Sequence, residues 1–331
     1  MTQEYLVEVN DAACWFDVSP SLLERLVYRK PKVNLRAVDG VSFSLRKGET
    51  LALVGESGCG KSTVARLLTG LYQPTRGDIK YQGRSINSMS KPELQAIRKR
   101  RQMIFQDPYA SLNPRWRVGR IIAEPLATHT NLNPQQQQER VGELLSQVGL
   151  APSDAQRYPH QFSGGQRQRI SIARALALQP EFIVCDEPTS ALDVSVQAQV
   201  LNLMKDLQRD LGLTYLFISH NLAVVHHVAD RVGVMYLGRI VEIADRNALF
   251  SHAQHPYTRM LLGAIPDISG AGKSRIPVAG EVPNPLNPPS GCTFHPRCPL
   301  ANDRCRIEVP TLVARTGHET ACHAVEEGRV G

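Results

Sequence analysis

Three short apolar runs stand out from a background of partial alternation. They are Thr50-Leu51-Ala52-Leu53-Val54, Phe182-Ile183-Val184-Cys185 and Tyr215-Leu216-Phe217-Ile218-Ser219. Each has strand length and is apolar at successive positions, as expected of a strand buried on both faces in a parallel sheet. Residues 4–10 and 36–47 read as strands exposed on one side, with Val38, Val41, Phe43 and Leu45 alternating in part. Ile79-Lys80-Tyr81 reads as a strand that enters a turn at Gln82-Gly83, and Met103-Ile104-Phe105 as another that follows a charged helix over 91–101. Helical spacing dominates between 108 and 180. Pro108, Pro114 and Pro125 keep the first helices short, Asn133-Pro134 opens one that runs to about Val148, and Arg167 to Ala177 forms another, capped by Ser163 or by its glycine turn. A helix from Ser195 to about Arg209 and a hairpin, Val232–Tyr236 and Ile240–Ile243 around Gly238, complete the pattern. Strands alternating with helices predict an α/β fold with a parallel sheet and ligands at the carboxyl ends of its strands. From about Phe250 prolines become frequent, and little periodicity remains beyond a short helix around Tyr257–Ala264. Residues 251–331 therefore read as an appended Cys/Pro-rich module, poor in regular structure.

Composition narrows the class. The chain has 331 residues, 42% hydrophobic and 21% charged, which is ordinary globular chemistry. No apolar run approaches the roughly 18 to 20 residues of a membrane span, and Met1-Thr2-Gln3-Glu4 opens no signal peptide. A cytosolic protein, held at a membrane only by partners, is the expectation. The net charge of +7 has one dense basic block, Arg98-Lys99-Arg100-Arg101, which reads as a solvated helix face and not as a nucleic-acid surface. Seven cysteines in such a compartment argue against structural disulfides.

The candidate chemistry gathers where the apolar runs end. Gly55-Glu56-Ser57-Gly58-Cys59-Gly60-Lys61-Ser62-Thr63 matches G-x-x-x-x-G-K-[ST] in full, between a strand and a run of helix formers, Val64–Leu68. Its glycines let backbone N–H groups converge on phosphate, and the helix N-terminus adds partial positive charge. Lys61 would reach the β- and γ-phosphates, and the Ser62 hydroxyl would reach Mg²⁺. Asp186 ends a buried run and can hold Mg²⁺ through water, while Glu187 can polarise an attacking water. Gln106, a metal and water contact, and His220, a γ-phosphate contact, share this strand-end address with Lys61 and Asp186. Trp15 or Phe16 could stack on a base or simply pack at an edge. Ser163-Gly164-Gly165-Gln166 at a helix start forms a second anion site. One chain does not need two such sites for one nucleotide, so a head-to-tail dimer with two sandwiched ATP molecules is expected.

Gly55–Thr63, Gln106, Phe162–Gln166, Phe182–Glu187, Ser190–Asp193 and His220, in this order, resemble an ABC-transporter ATPase over roughly residues 5–250. The resemblance implies a P-loop NTPase with a RecA-like parallel sheet core, an antiparallel β subdomain and a helical insert over about 108–180. It implies Walker A at Gly55–Thr63, the Q-loop at Gln106, the signature at Phe162–Gln166 and Walker B ending at Asp186. The catalytic base falls at Glu187, the D-loop at Ser190–Asp193, the switch histidine at His220 and the adenine-stacking aromatic at Phe16. Phe162 stands where most such chains carry Leu, a packing position. His255-Pro256-Tyr257-Thr258, Gly280–Pro283 and Pro288–Cys292 resemble the C-terminal extension of dipeptide, oligopeptide and nickel importers. That likeness implies a motor bound to a second, unlike ATPase subunit, two membrane permeases and a solute-binding protein, at the cytoplasmic face of the cell membrane, with no nucleic-acid partner.

Cys292, Cys298, Cys305 and Cys322 are spaced C-x5-C-x6-C-x16-C, which matches neither a ferredoxin run nor a zinc ribbon. Inert thiols, zinc and a [4Fe–4S] cluster all remain open from the residues; in the resembled importers such a set can hold [4Fe–4S]. His295, His318 and His323 could each replace a thiol. Cys59, inside the phosphate loop, is expected to make ATP binding sensitive to alkylation.

Overall fold

The structure, a computed structural model, describes residues 5–20, 24–25, 32–264, 280–315 and 317–330. The basic stretch Tyr28-Arg29-Lys30 lies outside them. Two sheets organise the described chain. The larger has eight strands in the order β11 (Val313–Arg315), β12 (His318–Thr320), β10 (Arg239–Asp245), β9 (Arg231–Tyr236), β3 (Thr50–Val54), β8 (Thr214–Ile218), β7 (Phe182–Asp186) and β6 (Arg101–Ile104). The smaller has four in the order β2 (Asn34–Arg46), β1 (Tyr5–Asp17), β4 (Arg76–Tyr81) and β5 (Arg84–Ser85).

The larger sheet explains the unbroken apolar runs. Strands β3 (Thr50–Val54), β7 (Phe182–Asp186) and β8 (Thr214–Ile218) pair in parallel with one another, with β6 (Arg101–Ile104) beyond β7 and β9 (Arg231–Tyr236) beyond β3. Alternate residues enter two separate cores. Ala52, Val54, Ile183, Cys185, Tyr215 and Phe217 join the core shared with the helices. Leu51, Leu53, Phe182, Val184, Leu216 and Ile218 join the core shared with the smaller sheet. A strand clothed on both faces has no polar side, so periodicity is lost even though the alternation is real.

Between β6 and β7 lie helices Pro108–Ser111, Val118–His129, Pro134–Gln147 and Gly164–Leu176. Asn133 caps the third through a reciprocal box with Gln136, with Pro134 in the first turn. Val118, Ile121, Ile122, Val141, Leu144, Leu145, Ile170 and Ile172 are buried in the same core as one face of β3, β7 and β8, so the insert packs onto the sheet and does not stand free.

Two regions depart from expectation. Strand β1 extends from Tyr5 to Asp17, against β2 (Asn34–Arg46), and carries Cys14, Trp15 and Phe16 within it. Register shifts interrupt the pairing between Val9 and Ala13, and Asp11 has a φ of 47°. These bulges break the period-2 pattern at the point where sequence reading ends the strand. The tail is also more ordered than its composition suggests. Strand β12 (His318–Thr320) pairs antiparallel with β10 (Arg239–Asp245), and β11 (Val313–Arg315) pairs with β12, so the tail completes the large sheet. Glu242 of β10 is fully buried there. Its carboxylate accepts the N–H groups of Gln254 at 2.8 Å and His255 at 3.0 Å, and lies 3.0 Å from Nδ1 of His318. A carboxylate so deep needs those partners, and they tie two segments of the tail to one strand.

Candidate functional site: the phosphate loop and its strand-end neighbours

The loop between β3 and the Lys61–Leu68 helix folds tightly against neighbouring backbone. Gly60 has a φ of 108°, and a Cβ on it would sit 2.2 Å from the carbonyl oxygen of Ala37. Gly55 has a φ of 148°, and its Cβ would sit 2.2 Å from the carbonyl oxygen of Met235. Only glycine meets both demands. The Lys61 ammonium is buried and donates to the carbonyls of Gly55 at 2.7 Å and Glu56 at 3.0 Å, so its charge is held within the loop.

Across the cleft stand the ends of β6, β7 and β8. The Ser62 hydroxyl donates to Asp186 Oδ1 at 3.1 Å, which brings two hard oxygen donors together, the chemistry that Mg²⁺ prefers. Burial pushes the Asp186 carboxyl above its usual range, with the Ser62 hydrogen bond opposing and Glu187 adding to the shift. Glu187 has a φ of 47°, a left-handed backbone that non-glycine residues rarely adopt. Its carboxylate accepts the Gln106 amide N–H at 3.0 Å through Oε2 and lies 3.1 Å from His220 Nδ1 through Oε1. Gln106, expected at the metal, thus engages Glu187 directly. Such a backbone costs about 1–3 kcal/mol and persists only where its surroundings hold it, as Gln106 and His220 do here.

A cleft of about 610 Å³ joins these groups, within the range of small-molecule sites. Phe16, Ser57, Gly58, Gly60, Lys61, Ser62, Thr63, Gln106, Glu187 and His220 all line it. Phe16 is at its edge, in edge-to-face contact with Tyr72 at 5.3 Å between ring centroids. Trp15 does not line the cleft; its ring is covered by the Arg36 guanidinium at 5.0 Å. Phe16, and not Trp15, therefore stands at the edge of this cleft.

Ser163–Gln166 lies apart from this cleft. Ser163 and Gln166 cap each other, the Gln166 N–H donating to Ser163 Oγ at 3.3 Å and the Ser163 N–H to Gln166 Oε1 at 3.0 Å. Gly165 is needed for contact with the next helix, since a Cβ on it would meet Val196 Cγ1 at 2.3 Å. Phe162 is buried under the Arg157 guanidinium at 4.3 Å, a packing position as expected.

The cysteines divide into two groups. Cys59 is only 4% exposed and burial pushes its thiol up, so the expected alkylation sensitivity meets a shielded, protonated sulfur. In the tail, burial raises Cys292 to about 12, with the charges of Cys322, Cys305 and Cys298 adding to it, and raises Cys298 to about 11. The four thiols therefore sit within electrostatic reach of one another. Among the described residues, however, no group of three or more His, Cys, Asp or Glu side chains is arranged to hold a metal ion.

Two contacts had no signal in the sequence. The Glu56 N–H donates to the hydroxyl of Tyr257, and the Glu56 carboxylate pairs with Arg297, so the tail touches the phosphate loop itself. Glu56 occupies a variable position of the loop pattern, and its partners lie 201 and 241 residues away.

Residues 38–190 match the family model described as ABC transporter, and residues 241–305 the model described as oligopeptide/dipeptide transporter, C-terminal region. The oligopeptide transport ATP-binding protein AppF of Bacillus subtilis is 52% identical, over 97% of this chain and 98% of its own. The di/tripeptide transport ATP-binding protein DppF of Pseudomonas aeruginosa is 52% identical, over 98% and 99%. The oligopeptide transport ATP-binding protein OppF of Escherichia coli is 48% identical, over 98% and 97%. Among solved structures, cbiO1 of Clostridium perfringens, part of the ABC transporter complex cbiONQ, superimposes with a TM-score of 0.64 at 25% identity, covering 75% of this chain and 92% of its own. The dimeric post-hydrolysis state of the ATP-binding cassette MJ0796, bound to ADP and phosphate, gives 0.62 at 26% identity, covering 72% and 98%. With its phosphate loop, its strand-end carboxylates and its tail all matched, the chain belongs to the oligopeptide/dipeptide branch of the ABC-transporter ATP-binding proteins.

Proposed function

We propose that this chain is the ATP-hydrolysing motor of an importer that carries dipeptides or oligopeptides across the cytoplasmic membrane. The observation that carries the reading is the convergence of Lys61, Ser62, Gln106, Glu187 and His220 on one cleft, with the Ser163–Gln166 turn outside it. In this reading Ser62 and Asp186 would hold Mg²⁺, which would supply neutralisation of the phosphate charge. Lys61 and the N–H groups of 57–63 position the phosphates, and Phe16 stacks on the base. Glu187 orients and polarises the attacking water, while His220 and Gln106 set the carboxylate's direction. The Ser163–Gln166 turn serves the nucleotide of a second, unlike ATPase subunit, which returns the favour with its own. ATP binding closes the pair, and hydrolysis reopens it. Phe105, 41% exposed, and Tyr109, 61% exposed, flank Gln106 and offer apolar contacts to the permeases that would hold the motor at the cytoplasmic face.

Assembly with the second ATPase, two permeases and the solute-binding protein in lipid vesicles tests this reading. Peptide-loaded binding protein should stimulate ATP hydrolysis and move labelled peptide inward. Stimulation by nickel and not by peptide would transfer the same motor to another solute.

The finer proposal concerns Cys292, Cys298, Cys305 and Cys322, which we assign to a soft metal, [4Fe–4S] in preference to zinc. Support comes from the backbone hydrogen bond that brings Cys292 N–H onto the Cys305 carbonyl at 2.8 Å, and from the charges of Cys298, Cys305 and Cys322 that act on Cys292. Since the described side chains form no metal-holding group, loading requires them to draw together. Anaerobically purified protein should contain iron and labile sulfide with broad visible absorbance; metal-free protein with four titratable tail thiols would refute the assignment.

A further inference from the structure

Among the described residues, the C-terminal tail meets the phosphate loop at Glu56, through both its backbone and its side chain. Arg297 Nη1 donates to Glu56 Oε2 at 2.8 Å and Nη2 to Oε1 at 3.0 Å, a bidentate fork. The Arg297 side chain is 2% exposed, with its guanidinium beside the Tyr236 and Phe294 rings at 5.8 and 5.9 Å. Tyr257, fully buried, receives the Glu56 N–H at 2.9 Å and packs its ring against Tyr236 and Phe294 at 4.7 and 5.4 Å. Both partners are therefore rigid, and Glu56 is held through its backbone and its side chain together.

Glu56 in turn sets the interior of the loop. Its carbonyl oxygen accepts Lys61 Nζ at 3.0 Å and the Cys59 N–H at 3.3 Å. Gly55, Gly58 and Gly60 all have positive φ, so the loop's own backbone offers little stiffness. A loop that must present several N–H groups at once needs its geometry fixed from outside. We infer that Arg297 and Tyr257 are positioning residues of the ATP site: they clamp Glu56 and so hold the Gly55–Thr63 loop in its phosphate-binding shape. The tail is then a structural part of the nucleotide site, and any rearrangement of the Cys292–Cys298 segment that moves Arg297 reaches ATP affinity through Glu56. This inference rests on the ATP-binding reading of the cleft.

The test uses the full-length chain, titrated with a fluorescent ATP analogue and Mg²⁺, alongside steady-state hydrolysis and thermal melting. Arg297→Met and Glu56→Gln should each raise Kd and KM by about 10- to 100-fold, with kcat at saturating ATP changed by no more than about threefold. The double variant should be no worse than the weaker single variant, since both remove one interaction. Arg297→Lys, which keeps the charge and loses the fork, should fall in between. Tyr257→Phe keeps the packing and removes only the acceptor of the Glu56 N–H; it should raise Kd while leaving the melting temperature close to that of the wild type, and it carries the test if Arg297→Met does not fold. Losses that multiply in the double variant, or folded variants that bind the analogue as the wild type does, would overturn the inference. Failure of the wild-type protein itself to bind the analogue would instead overturn the ATP reading.

Discussion

Glu187→Gln is expected to leave nucleotide binding intact and to cut ATP hydrolysis by about 100- to 10,000-fold, the usual worth of a positioned general base. The substitution is nearly isosteric. Gln106 can still donate to the remaining carbonyl oxygen, and the backbone N–H of residue 187 still donates to Ile218 O at 3.0 Å. What disappears is the acceptor for the water's proton. Because Ser62, Lys61 and the loop N–H groups are untouched, ATP should enter and remain. Mixed with its partner ATPase subunit, the variant should therefore accumulate in an ATP-dependent closed pair, visible by gel filtration as a shift that ADP does not produce. Phosphate release at the wild-type rate would remove Glu187 from the role of base.

Gly60→Ala should abolish ATP binding at any practical concentration, a loss of at least about 100-fold from misplacing the reacting geometry. Two independent penalties act at this residue. The φ of 108° is strained for any residue with a Cβ, at about 1–3 kcal/mol. The added methyl also sits 2.2 Å from the Ala37 carbonyl, a backbone atom that cannot rotate away. Relief requires the loop to lift off β2, and overpacking of this kind typically costs about 1–3 kcal/mol more. Gly60 also supplies the carbonyl that accepts the N–H groups of Thr63 at 3.0 Å and Val64 at 3.1 Å, so the shift is passed to the helix that presents Ser62. Gly58→Ala is the internal control. Its φ is 79°, yet its Cβ would meet nothing within 4 Å, so it should bear the strain alone and keep most of its affinity. Equal loss in both variants would show that backbone strain, and not the approach to Ala37, decides the site.

Much of the site was legible because its residues obey short-range rules. A strand, a glycine turn and a helix start occupy nine consecutive residues at Gly55–Thr63, and the ends of β7 and β8 announce themselves by the polar residue that follows an apolar run. Sequence reading could therefore bring Lys61, Gln106, Asp186 and His220 to one address. It could not bring Gln106 onto Glu187, because that contact depends on the lateral order of β6, β7 and β8. Nor could the residues alone choose between Trp15 and Phe16, which only the family resemblance ranked; Phe16 lines the cleft and Trp15 does not. The tail hid most completely. Its strands are three residues long, too short for any period, and the fork between Arg297 and Glu56 joins positions 241 residues apart.

The pairing of β12 with β10 has a consequence for how far the chain can be trimmed. Without the tail, β10 would end the large sheet with open backbone donors and acceptors flanked by Ile240, Val241 and Ile243, which are now buried. Such a rim is a template for adding strands from other molecules. The tail closes it with β12 and leaves only the three-residue β11 outermost. A cassette cut at residue 250 is therefore expected to self-associate through β10, which light scattering of the truncated chain would report.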